Sequence, residues 1–484
     1  MAETIKDLNP KAVWKHFHDI TQIPRCSGNE NAIAQHIIDF ATSLGLKHKT
    51  DDVGNLIISK PATTGMEDRP TAVIQGHMDM VCEKNKDTKH DFDKDPIKTK
   101  IEDGWVTAEG TTLGSDNGIA LAMAMAVMED HNIKHPPMEF LFTVDEETGL
   151  TGAQELKSDF VQGRILLNID SEEEGALYIG CAGGQHTILK KEFDWTHVHD
   201  DFTSFVLKVD GLRGGHSGLN INDGLGNAVK LLARVLYNLK DQFHYHIAEI
   251  NAGSKHNAIP REAEAVIDVP SDKTAELQNT VKEFSRIFAD ELQFTEKNVK
   301  VSAEQTTKVQ RVFSTPFRDQ LIGVLYAMPH GVMAMSQAIE DLVETSTNMA
   351  IIETKENRVE MLTSQRSSVE TAVKDIANKI KALGELGDFE VEEGGGYPAW
   401  QPDPNSKLLA SCKQIYQNKF NEEPEVKAIH AGLECGIIGE HYDGMDMISF
   451  GPDILGAHSP DERIRISSVE NVWAYLLEIL ENIK

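Results

Sequence analysis

The chain has 484 residues, with 47 Lys or Arg against 77 Asp or Glu and a formal charge of -30. That balance repels phosphate backbones and anionic bilayers, so neither nucleic acid nor a membrane surface is expected as a partner. A hydrophobic fraction of 40% is ample for packed cores, and the length exceeds what one core organises, so two or more domains are expected.

The start MAETIKDLNPKAVW lacks a basic region followed by an apolar core, which reads as no secretory leader. No stretch approaches the ~18 apolar residues of a membrane span. Cys26, Cys82, Cys181, Cys412 and Cys435 are odd in number, scattered and without a CxxC pair. This argues against a disulfide framework or a thiolate metal site and makes a reduced cytoplasm the simplest home.

In chain order, Asn9 and Pro10 read as a cap and a first helical residue for a helix reaching about 20. A second helix, about 31–44, places Ile33, Ile37, Ile38 and Phe40 on one side and stops at Gly45. Strands follow at about 55–59, 72–75, 139–144 and 165–169, with an Ala- and Met-rich helix at 117–129 between the second and third. Short apolar runs alternating with helices predict an α/β fold, a largely parallel mixed sheet covered by helices. The character changes at CAGGQ (181–185) and again at GGGYPAWQPDP (394–404), both hinge-like. Between them, strands at about 205–209 and 264–269 alternate with amphipathic helices at about 227–239 and 273–292. That pattern suggests an inserted α+β lid domain long enough for two ferredoxin-like halves. A strand at about 445–450, the GAHSPDER loop and a last helix at about 469–483 follow, with Ser467 and Glu470 at capping-box spacing. The expected division is 1–185 and 397–484 as one domain, with 186–396 inserted into it.

Chemistry-bearing residues gather where strands end: His77 and Asp79 after TAVIQG, Asp116 in GSDNG, Asp145, Glu146 and Glu147 after MEFLFTV, Asp170 after RILLNI. Carboxyl ends of strands in an α/β sheet converge on one crevice. Two histidines and several carboxylates there make a divalent metal site the leading idea, provided the C-terminal part returns so that His458 reaches it. A lone histidine after a strand is usually structural, but Asp79 two residues on suits an imidazole held for a metal. Glu147 and Glu146 divide the work as ligand and base, since adjacent like charges raise one pKa toward neutrality. Asp116 reads as a helix cap or as a carboxylate between two metals; the flanking Gly114 and Gly118 favour the second. His216 in GLRGGHSGL reads as an exposed turn residue or as a donor to a developing oxyanion. Arg366 reads equally as a surface arginine or a fork for a substrate carboxylate; Asn257 and Gly432 are undecided. His16, His18, His90, His131 and His197 read as surface residues.

IPRCSGNE, GHMDMVCEK, GTTLGSDNGIA, DEETGLTGA, NIDSEEEG, GGHSGLNI and GAHSPDER together span nearly the whole chain, which on them resembles the M20 family of dinuclear zinc peptidases, in its bacterial dipeptidase branch. The resemblance implies two Zn2+ per subunit, with Co2+ or Mn2+ able to substitute: His77 and Asp170 on one, Glu147 and His458 on the other, Asp116 bridging. It implies that Asp79 orients His77, that Glu146 is the base, and that His216 stabilises the transition state. Arg366, Asn257 and Gly432 would hold the substrate's C-terminal carboxylate. The expected activity is hydrolysis of unblocked dipeptides of broad sequence, including Xaa-His, in the cytoplasm. Rival readings are an N-acyl amino acid deacylase of the same family and a non-catalytic metal-binding module. Many relatives have a single-unit lid and take the lid histidine from a dimer partner; the larger lid here resembles a doubled form, which leaves a homodimer open.

Overall fold

The computed structural model describes residues 4–198 and 200–483. The chain forms two compact units. The first comprises the chain up to Gly180, Pro402–Ala428, and the chain from Leu433 on; the second comprises Cys181–Gln401 and Ile429–Gly432.

The first unit is built on an eight-stranded mixed sheet in the order Lys47–Thr50, Leu56–Lys60, Met138–Thr143, Ala72–His77, Ile165–Asn168, Asp446–Ser449, Ala176–Cys181, Glu425–Ile429. The three central pairings are parallel, while Lys47–Thr50 with Leu56–Lys60, Leu56–Lys60 with Met138–Thr143 and Asp446–Ser449 with Ala176–Cys181 are antiparallel. Strands Ala72–His77 and Met138–Thr143 are buried at every position, as parallel strands covered on both faces must be. The helix Ser115–Glu129 is buried on nearly all sides, so its Ala and Met residues make a core helix with no polar face. A side chain at Gly76 would come within 2.8 Å of Ala120 Cβ, so glycine there lets helix and sheet close up. Lys60 Nζ donates to the carbonyls of Val127 and Asp130 at 2.6 and 2.9 Å, filling the acceptors left open at that helix's end.

The second unit carries a continuous antiparallel sheet made of two strand-helix-strand-strand-helix-strand halves. One half runs Phe202–Asp210, Ala228–Lys240, His246–Ala252, Ala263–Pro270, Thr274–Glu291, Lys300–Gln305. It is nested within the other: Gly183–Glu192, Thr315–Ala327, Val343–Thr354, Arg358–Ser367, Glu370–Leu386, Glu390–Tyr397. The halves join edge to edge where Ala252 pairs with Ile352. Leu232, Leu236, Leu239, Leu277, Val281 and Phe288 are buried beneath the first half's helices.

Four expectations need correction. Cys26 and Cys82 form a disulfide; their segments meet through a parallel bridge between Cys26 and Met80, a proximity that a separation of 56 residues conceals. Cys181, Cys412 and Cys435 remain thiols, all buried. Pro10 is the N-cap of Lys11–Thr21, not its first residue. The last helix starts at Ile466, so Ser467 and Glu470 lie inside it and form no capping box. His16 is 3% exposed and stands 3.2 Å from Glu129, because it shares the buried face of its helix with Val13, Phe17 and Ile20. Among the described residues no helix is long and apolar enough to cross a membrane.

Candidate active site

Within the first unit, His77 closes its strand, and Asp170 stands two residues beyond Ile165–Asn168. Glu146 and Glu147 open a short helix entered through Asp145, whose φ of 52° turns the chain sharply after Met138–Thr143. Asp116 sits at the entry of Ser115–Glu129 with non-helical angles. The strand Asp446–Ser449 runs parallel to Ile165–Asn168 with Ser449 opposite Asn168. The C-terminal loop therefore leaves from the same sheet edge as Asp170, and His458 adopts a φ of 62° within it. Left-handed backbone at non-glycine residues is uncommon and gathers at functional sites.

Asp116 faces both imidazoles: Oδ1 is 3.1 Å from His77 Nε2 and Oδ2 is 3.1 Å from His458 Nε2. His77 Nε2 is also 3.3 Å from Asp170 Oδ1, and His458 Nε2 is 2.9 Å from Glu147 Oε2. His77 Nδ1 points the other way, 3.3 Å from Asp79 Oδ1. Asp79 also accepts from Ser27 Oγ at 2.8 Å and from the N–H groups of Glu146 and Glu147 at 3.1 and 3.2 Å. One buried carboxylate thus fixes both the imidazole's orientation and the turn that carries the Glu pair.

Five carboxylates and two imidazoles in one cluster, buried at His77 and Asp79 and open at His458, call for cations. Hydrogen bonds to Asp116 and Glu147 lift His458 to about 11, and His77 is raised well above its usual value by Asp170, Asp116 and Asp79 in spite of its burial. Burial, with neighbouring carboxylates, pushes Asp170 up to about 6 and Glu146 well above the carboxylate range. Although burial opposes it, hydrogen bonding to His77 and Ser27 holds Asp79 at about 2. Glu147 Oε1 is buried without a hydrogen-bond partner. The donor atoms of His77, Asp116 and Asp170, and those of Asp116, Glu147 and His458, each lie within 4.8 Å of one another. Two nitrogen-and-oxygen sets sharing a carboxylate fit a pair of zinc-like divalent ions.

His216, Asn257, Arg366 and Gly432 all belong to the second unit. Arg366 is 7% exposed. It donates to the Tyr397 hydroxyl at 2.5 Å and to Ser217 Oγ at 3.5 Å, while its Nε is buried without an acceptor. Among the described residues no carboxylate pairs with it, so it is a buried cation lacking its anion. Arg366 is opposite Gly184 and Ser346, and Gly184 is opposite Tyr397, so all four share one sheet face. A Cβ at Gly184 would stand 2.8 Å from the Tyr397 ring; its absence lets that ring reach across to Arg366. Gly432 lies against the other part of the ring, where a Cβ would come within 2.7 Å.

His216 Nδ1 accepts from the N–H groups of Gly218 and Leu219 at 3.2 and 3.0 Å, which leaves the proton on Nε2 as a donor. Burial, with Arg366 and His256 nearby, lowers His216 to about 4. The strand pair Gly215–His216 and Ala258–Ile259 sets His216 opposite Ala258. Asn257 accepts from Ser217 N–H through its backbone carbonyl at 2.8 Å, and His216 and Asn257 line a cleft of about 710 Å³.

Several residues here have no sequence signal. His430 is 6% exposed and hydrogen-bonded to Ser346 Oγ at 2.7 Å. The His186 and His256 rings pack tilted, with centroids 4.7 Å apart, and, with Tyr397, adjoin Arg366. In the first unit Glu434 is fully buried, accepts from Gln75 Nε2 and Thr143 Oγ1 at 2.6 and 2.8 Å, and is raised by burial to about 7. Each reaches its place through contacts distant in the chain, from 70 residues for His186 and His256 to 359 for Glu434 and Gln75, not through local spacing.

The profile of peptidase family M20/M25/M40 matches residues 73–482. The cytosol non-specific dipeptidase of Escherichia coli (strain K12) is 42% identical over 479 residues, 99% of each chain. The crystal structure of aminoacylhistidine dipeptidase from Vibrio alginolyticus is similar with a TM-score of 0.91 and 40% identity, covering 100% of this chain and 98% of that one. A tripeptidase structure from Staphylococcus aureus, at 16% identity and a TM-score of 0.59 over 98% of this chain and 99% of that one, shares the fold. With most of its length matched by the profile and by a close relative, this chain belongs to the peptidase family M20/M25/M40, a family of peptide hydrolases.

Proposed function

We propose that the chain is a two-metal dipeptidase that hydrolyses unblocked dipeptides of broad sequence, Xaa-His among them. The observation that carries this reading is the placement of Asp116, one oxygen toward His77 and the other toward His458. His77 with Asp170 and Glu147 with His458 would hold one divalent ion each, Asp116 bridging them, with zinc as the resident metal and Co2+ or Mn2+ as substitutes. Such a pair, when bound, acidifies a water and polarises the scissile carbonyl.

The chain's own residues supply the remainder. Glu146, made more basic by burial and neighbouring carboxylates, acts as the carboxylate: it takes a proton from the attacking water and returns it to the leaving amine. Asp79 keeps the His77 ring oriented. His216 Nε2–H donates to the carbonyl oxygen as charge builds there. Arg366, with Tyr397, receives the substrate's carboxylate as a charge-assisted pair, and Asn257 and Gly432 shape that anchor.

The test compares Ala-His with N-acetyl-His on protein of measured metal content. Faster turnover of Ala-His, abolished by chelation and restored by Zn2+, is expected. Preference for the acetylated compound would replace the dipeptidase with an acyl-amino-acid deacylase, and undiminished cleavage after chelation would end the metal reading. The E. coli relative is named for the cytosol, and we place this chain in the cytoplasm as well. Disulfides are rare there, so the Cys26–Cys82 bond seen in the structure is expected to be open in the cell, with alkylation on lysis trapping both as thiols, and to close on oxidation of the purified protein.

A further inference from the structure

Four successive backbone N–H groups, from Leu113 to Asp116, point at one carboxylate. Leu113 and Gly114 donate to Glu462 Oε2 at 2.7 and 2.9 Å; Ser115 N–H, Ser115 Oγ and Asp116 N–H donate to Oε1 at 2.7, 2.6 and 3.3 Å. Glu462 is 2% exposed, and a carboxylate this deep persists because so many donors replace its water. The same short stretch is gripped from another side. Arg25, also 2% exposed, donates to the carbonyl of Gly114 and to those of Met78 and Asp79, the latter two at 2.9 and 2.6 Å. Gly114 has a φ of 71°, and a Cβ there would stand 2.6 Å from the Arg25 guanidinium. The backbone bearing Asp116 is thus held between an anion on its N–H groups and a cation on a carbonyl.

The chain positions of the two clamps matter. Glu462 is four residues past His458, and Arg25 grips the carbonyls beside Asp79. We propose that Glu462 is a positioning residue for the bridging carboxylate: it sets Asp116 relative to His458, while Arg25 sets Asp116 relative to His77 and Asp79. Neither side chain is among the donor sets that converge on the proposed ions. Loss of Glu462 would let the two loops drift apart, so that one Asp116 carboxylate no longer serves both imidazoles. The inference rests on the two-metal reading above.

The experiment titrates metal-free protein with Co2+ against a chromophoric chelator, records the visible spectrum of the Co2+-loaded form, and follows folding by near-ultraviolet circular dichroism. Wild-type protein is expected to take two Co2+. E462Q is expected to keep its near-ultraviolet spectrum, bind at least one Co2+ about 10- to 100-fold more weakly, and show altered Co2+ bands. S115A removes one donor of five and is expected to fall between them; it decides the matter if E462Q does not fold. A folded E462Q with wild-type affinities and bands overturns the proposal, as does S115A with wild-type affinities and bands where E462Q does not fold. Wild-type protein that binds no Co2+ sinks the two-metal reading itself, and the proposal with it.

Discussion

His458 Nε2 stands 3.1 Å from Asp116 Oδ2, although 342 residues separate them in the chain. The pairing of Asp446–Ser449 with Ile165–Asn168 closes that distance before any metal is considered. Asp116→Asn keeps the shape but removes the charge shared by both imidazoles. We expect metal content to fall from two ions to one or fewer and turnover to fall by about 100-fold or more, the scale of losing one charge-stabilising group. Elemental analysis beside dipeptide kinetics checks it, and an Asn variant with two tightly held ions would show that Asp116 is no bridge.

Glu146 forms an ion pair with neither imidazole, although its donor atom lies within 4.8 Å of those of His77 and Glu147; Glu147 lies 2.9 Å from His458. Glu146→Gln should therefore leave metal content near wild type while kcat drops by about 100- to 10,000-fold, the range for a lost general base. Glu147→Gln should lose metal as well. Equal metal loss in both variants would remove the distinction between base and ligand.

Much of the first cluster was legible because ionisable residues interrupt apolar strands only where the strands end. His77, Glu146, Glu147 and Asp170 come at the close of runs such as AVIQG and EFLFT, which puts them at the carboxyl ends of neighbouring strands, where an α/β sheet opens its crevice. The α/β class and the paired halves of the second sheet were readable on the same grounds. What stayed hidden depends on distant pairing. A charged run such as PDER usually meets solvent, yet Glu462 is among the most buried carboxylates. HAGLECG carries His430 into one unit and Glu434 into the other, and no pattern of seven residues declares such a split. The Cys26–Cys82 bond was hidden for the same reason, and the capping box at Ser467 was outcompeted because Ser468 Oγ accepts from Asp453 N–H at 2.8 Å.

Arg366→Ala should raise KM for a free dipeptide by about 10- to 100-fold, as expected for a hydrogen-bonded charge worth ~1.5–3 kcal/mol, with a smaller change in kcat. The dipeptide amide, lacking the carboxylate, should be hydrolysed alike by variant and parent. Gly432→Ala should act in the same direction more weakly, because its new Cβ displaces the Tyr397 ring. If the amide suffers as much as the acid, Arg366 does not read the carboxylate.

Several histidines of the second unit resist protonation, and among those with Arg366 nearby three are shifted furthest. Burial, reinforced by Arg366, lowers His186 and His216 to about 4 and His430 to about 3. In the unfolded chain each titrates near 6.5, so between pH 6.5 and about 4 the unfolded state binds the protons that the folded state refuses. Stability then rises with pH across that window and is lost as pH falls through it. Asp170, Glu434 and Glu146, raised by burial, act in the opposite sense over the same window, so the histidine contribution is read as a difference: between pH 6.5 and about 4 in chelator the urea midpoint of His430→Gln should gain on that of the parent as pH falls. A parent-to-variant difference that stays constant from about pH 7 to 4 would contradict the assignment.

Ile429–Gly432 belong to the second unit while the residues on either side belong to the first. Those four residues bring the ring that bonds Ser346, a carbonyl that a Cβ on Gly218 would strike at 2.1 Å, and the glycine beneath Tyr397. The insertion is therefore not a detachable cassette. A graft of 181–401 into a relative, or its expression as a free fragment, would arrive with one wall of the proposed carboxylate anchor missing; that wall has to be transplanted separately from the C-terminal stretch.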